Sequence, residues 1–166
     1  MKIKLVSVLM LLLFACSSVN DQDLYESGMK KIDENNYIGA VADFQKLVNE
    51  FPGSEYEVKA LYELAKLYHG HVIQTLTKEE SLSKAVELYK EIFKRRPNSI
   101  EGEKSLFMAG FLEANELKRF DDARDTYNQF IEKYPESKLA ASAKEEIKNL
   151  GIPPEEILKK KVKSIE

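Results

Sequence analysis

The sequence predicts an all-α fold of stacked helical hairpins, a solenoid closed by C-terminal capping helices. Three observations predict it. Apolar residues recur at helical steps in paired segments, most clearly from Tyr56 to Asn98, where Leu61, Leu64, Ala65 and Tyr68 share one face and Ala85, Leu88, Tyr89 and Ile92 another. The paired segments recur upstream and downstream, and a repeat decides the architecture before any single motif does. The five prolines fall between periodic segments, where the missing N–H ends a helix and restricts the residue before it.

Composition sets the bounds. The chain has 166 residues, enough for one ordinary domain, with 32% charged and 43% hydrophobic residues. Its net charge is −3, and loss of Lys2 and Lys4 with a cleaved leader makes it about −5. A global basic field is missing, which argues against nucleic acid as a partner. One cysteine cannot form an internal disulfide, so the fold must stand on its apolar core.

Residues 1–15 read as a signal peptide. A positive start, Met1-Lys2-Ile3-Lys4, precedes the apolar run Leu5 to Phe14, which is short for a bilayer span of about 20 residues. Leu13-Phe14-Ala15-Cys16 resembles a bacterial lipoprotein signal, although Phe14 is larger than the residue usual at its position. The resemblance implies cleavage before Cys16 and lipidation of that residue. A plain secretory cleavage site would want a small residue where Leu13 stands. Ser17 after the cysteine, by the rule of the enterobacterial families, implies the outer membrane. Residues 16–21 are the lipidated Cys and a polar tether, which reaches under about 20 Å.

The first repeat covers residues 22–54. Leu24, Gly28, Ala40, Phe44, Leu47 and Pro52 carry its spacing, with Asn35-Asn36 at the turn, where Asn tolerates a left-handed backbone. The second covers 55–99 and repeats the spacing through Pro97, with an eight-residue insertion between Tyr68 and Ala85. That insertion is expected to lengthen the first helix and the loop after it. The third covers 100–137, with Leu106, Gly110, Ala123, Tyr127, Phe130 and Pro135, and one extra residue before Ala123. Capping helices fill 138–166, interrupted by Gly151 and finished by a lysine run. Small residues at 28, 65 and 110 are expected to face those at 40, 85 and 123, letting the helix axes approach to about 8–10 Å. Each repeat closes in Pro-x-Ser, ending at Ser54, Ser99 and Ser137, and each Ser can cap the next helix.

These positions resemble the 34-residue tetratricopeptide repeat (TPR). From about Asp21 to Leu150 the tract is similar to bacterial envelope TPR proteins: the lipoprotein of the outer-membrane β-barrel assembly machine and the Tol-Pal-associated cell-division coordinator. The resemblance implies a right-handed solenoid whose concave groove is lined by the first helix of each repeat. It also implies which residues point into that groove: among them Tyr25, Met29, Tyr62, Lys66, His69, Phe107 and Phe111, the expected partner-binding set. Aromatic side chains give large contact area at low entropy cost. The same stripe would equally suit packing between repeats.

Catalytic chemistry is not expected. The sequence has no Gly-rich phosphate loop and no Gly-x-Ser-x-Gly, and its one cysteine is used by the lipid anchor. His69 and His71 are the only histidines and offer at best two ligands, so neither metal nor cofactor is expected. The preferred reading is a membrane-anchored, non-catalytic protein-interaction scaffold of the cell envelope, on the periplasmic face. Its narrower forms are a β-barrel assembly subunit or a Tol-Pal coordinator. Rivals are an envelope enzyme or solute-binding protein, and a soluble chaperone cofactor clamping a peptide C-terminus with Lys59, Lys66 and Lys104.

Overall fold

The computed structural model describes residues 19–163. The signal peptide, Cys16 and the start of the tether lie outside them. The described residues form eight α-helices and one π-helical turn, without a strand. The hairpins are α1 (Asp21–Asp33) with α2 (Tyr37–Glu50), α3 (Glu55–His69) with α4 (Lys78–Arg95), and α5 (Ile100–Phe111) with α6 (Phe120–Lys133). The turn Leu112–Glu116 extends α5, and α7 (Ala140–Asn149) and α8 (Pro154–Lys163) follow.

Caps set most of the helix starts. Asn20 and Asp23 form a reciprocal capping box at α1, and Thr77 and Glu80 another at α4. The first two Pro-x-Ser serines cap as expected: Ser54 accepts from the Tyr56 N–H and Ser99 from the Gly102 N–H, both at 3.0 Å. Ser137 accepts from the Leu139 N–H, just ahead of α7. Asn35 takes the left-handed conformation at the α1–α2 turn, with φ 58°.

The repeat positions are the core. Ala40, Phe44, Leu47, Ala65, Ala85, Ile92, Leu106, Ala123, Tyr127 and Phe130 are fully buried. The small residues at 28 and 110 do allow close approach, but chiefly to an aromatic ring rather than to the opposite alanine. A methyl placed on Gly28 would sit 2.5 Å from Phe44 Cε1, and one on Gly110 2.9 Å from Tyr127 Cε1.

The insertion lengthens the loop as expected, but not the first helix. The first helix gains nothing at its C-terminal end: α3 stops at His69, followed by His71 at φ 49°. The added residues form the loop 70–77 and the front of α4, which starts seven residues before Ala85, whereas α2 starts three before Ala40. The reason is local. The Thr77–Glu80 box starts α4 early, and buried Ile73 pins the loop to the core.

The extra residue of the third repeat is absorbed as the π-turn, the usual form of a one-residue insertion in a helix. Beyond it, α7 packs on α6, with Ala140 and Ala143 buried. Gly151, at φ 74°, turns the chain into α8.

Candidate functional site

Three first helices converge on one groove. Tyr25 comes from α1, Val58, Lys59, Tyr62 and Glu63 from α3, and Ile100, Glu101 and Lys104 from α5; together they line a shallow, open depression of about 260 Å³. Its floor is apolar and its rim carries both charges.

Local structure aims each wall. Gly102 lies in the first turn of α5, and a methyl there would fall 2.1 Å from the Arg96 carbonyl oxygen. Only glycine lets the preceding loop fold back this tightly. The result is that Ile100 stands at the start of α5 with 66% of its surface exposed. Tyr25 is held by Phe44 and Tyr56, with ring centres 5.8 and 5.3 Å away. Burial pushes the Tyr25 phenol above its ordinary pKa, and Glu63 adds to the effect. Tyr62 meets Tyr89 edge-on at 6.0 Å. Lys59 Nζ sits 3.1 Å from Glu55 and 4.5 Å above the Tyr56 ring.

The expected partner-binding residues therefore divide. Tyr25 and Tyr62 line the groove while also packing on the core. Met29 and Phe111 are half-buried against the core cluster. Phe107 packs on α6, its ring 5.6 Å from both Tyr127 and Phe130, outside the groove lining. Lys66 is exposed and pairs with Glu63 at 2.8 Å. His69 is half-buried at the end of α3. Sequence reasoning missed Val58, Glu63, Ile100 and Glu101. An isoleucine at the first helical position, outside the core period, was the available signal for Ile100.

Among the described residues, no group of three or more His, Cys, Asp or Glu is placed to hold a metal ion, and no helix is long and apolar enough to cross a membrane.

Residues 17–151 match the YfiO family model, described as outer membrane lipoprotein. The chain belongs to the YfiO family. The match covers all three repeats and α7, and begins one residue after Cys16. Its place in the cell is therefore the outer membrane of the bacterial envelope, where the family is lipid-anchored. The family is of the β-barrel assembly lipoprotein type anticipated from the repeats, and its fold is TPR-like. No curated protein matches the chain.

Proposed function

We propose that this YfiO-family protein is a non-catalytic scaffold, anchored through lipidated Cys16 on the periplasmic face. In its groove it holds an extended or helical segment of a protein partner. The observation that carries this reading is the convergence of α1, α3 and α5 on one apolar depression with a charged rim. An open groove of this kind suits a chain segment better than a small solute, which is usually taken up in a deeper pocket. Tyr25 and Tyr62 would touch the partner directly. Met29, Phe107 and Phe111 would hold the wall behind them, and Lys66 and His69 would flank the far end of α3. The anchor confines the protein to the membrane surface and raises its effective concentration there. The family match favours a β-barrel assembly subunit over a Tol-Pal coordinator.

Photo-crosslinking in intact cells tests it. Crosslinkers replace Tyr62 and Ile100 in the groove, with exposed Glu87 on α4 as control. Recovery of a barrel-assembly protein from the groove positions alone is the expected result. Labelling only from Glu87, or equal weak labelling everywhere, would overturn the groove assignment.

A further inference from the structure

We infer that α8 is a second membrane contact, one that docks on anionic phospholipid in the leaflet holding the lipid anchor. The helix begins with Glu155 and Glu156 and ends with Lys159, Lys160, Lys161 and Lys163. Leu158 is 64% exposed. Ile157 is turned toward the fold, lining a hollow of about 270 Å³ with Phe120, Leu150 and Ile152. A short helix with an uncovered apolar position among lysines is the composition that lies in the headgroup plane of a bilayer.

Two observations select lipid as the occupant. The first is charge complementarity: four lysines within five residues meet anionic headgroups, and each such lysine near a surface adds measurably to binding. The second is continuity with the anchor, since the tether after Cys16 spans under about 20 Å and keeps α1 beside the bilayer. Held at α1 and at α8, the solenoid lies along the membrane, and the groove stays at a fixed height above it. The inference rests on the anchor and not on the groove reading.

The test uses the mature lipidated chain in vesicles. The sequence contains no tryptophan, so Leu158→Trp introduces a single reporter at an exposed position. In vesicles of phosphatidylcholine with phosphatidylglycerol at low salt, its emission should shift to the blue and be quenched by brominated acyl chains. In phosphatidylcholine alone it should stay water-like. Adding Lys159→Glu and Lys161→Glu should lower the docked-to-free ratio about tenfold or more, and high salt should do the same. Water-like emission in both vesicles overturns the inference. So does equal quenching in both, which removes the role of headgroup charge. A blue shift in plain buffer for the unlipidated Cys16→Ser chain, without vesicles or detergent, also overturns it, because protein rather than lipid would then cover the helix.

Discussion

Glu113 places one carboxylate oxygen 2.6 Å from Lys90 Nζ and the other 2.7 Å from Thr126 Oγ1. One residue of the π-turn thus ties α4 of the second repeat to α6 of the third. The two charges are unequally buried, the Glu113 side chain being 4% exposed and that of Lys90 43%. Removing either partner therefore has a different cost. Lys90→Met leaves a buried carboxylate with one hydroxyl, and should cost about 3 kcal/mol. Glu113→Gln leaves an ammonium that reaches water and keeps an acceptor for Thr126, so it should cost only about 1 kcal/mol. Urea midpoints at an unchanged slope check this order, and the reverse order would mean that the carboxylate is hydrated.

Gly28 and Gly110 make a matched pair of tests. Alanine in a helix interior gains about 1 kcal/mol over glycine, but overpacking costs about 1–3 kcal/mol. The Phe44 and Tyr127 rings are both fully buried and have little room to swing away. The closer approach is at Gly28, 2.5 Å against 2.9 Å. Gly28→Ala should therefore destabilise by about 1–2 kcal/mol, while Gly110→Ala should be nearer neutral. The second repeat already carries alanine at this position, Ala65, with no exposed surface. Thermal melts of the two variants side by side give the comparison.

Tyr89 makes the fold sensitive to alkali. Burial pushes its phenol up to about 12, with smaller contributions from Tyr62 and Glu63. Its folded pKa lies above the ordinary value of 10.0, so the native state holds the proton longer than the unfolded chain. The stability contribution is whole below pH 10 and is lost progressively as pH rises from 10 through about 12. The loss should approach about 2–3 kcal/mol. Urea midpoints from pH 8 to 12 should fall less steeply for Tyr89→Phe than for the native chain. An unchanged slope would show that the ring ionises as freely folded as unfolded.

What the sequence disclosed follows from what each signal measures. Repeat spacing picked out Leu24, Ala40, Phe44 and Leu47, and all four are buried, because burial itself imposes the helical period. Asn35 marked its turn because few other residues tolerate a positive φ. The longer loop was foreseen, but the helical share of the insertion was assigned to the wrong helix, because periodicity cannot say which helix receives added residues. The capping box at Thr77 decided that, while left-handed His71 gave no sign of itself in sequence. The extra residue before Ala123 was visible as a count. Its form was not, since a π-turn uses ordinary helix-forming residues and here is fixed by the ties of Glu113. The resemblance to the TPR implied that Tyr25 and Tyr62 face the groove, but it could not show how much of each ring the core would take. For Phe107 the core took the contact.

If the proposed groove holds a partner, Ile100 and Tyr62 separate binding from stability there. Tyr62 spends part of its ring on Tyr89, so Tyr62→Ala should lower partner capture and also cost about 1–3 kcal/mol of folding stability. Any loss of binding it causes is therefore ambiguous. Ile100 is 66% exposed, and its backbone position is set by the Ser99 cap and by Gly102 rather than by its own side chain. Ile100→Asp should leave the urea midpoint within about 0.5 kcal/mol of native. Aspartate is tolerated in a first helical turn, where the helix dipole favours an anion. It nevertheless puts a charge into the apolar floor between Val58 and Tyr62. If a partner segment lies there, crosslinking from Tyr62 should fall about tenfold or more in the Ile100→Asp chain while the fold is untouched. Undiminished crosslinking would mean that the partner passes over α1 and α3 without reaching α5, and the groove would then be two repeats long rather than three.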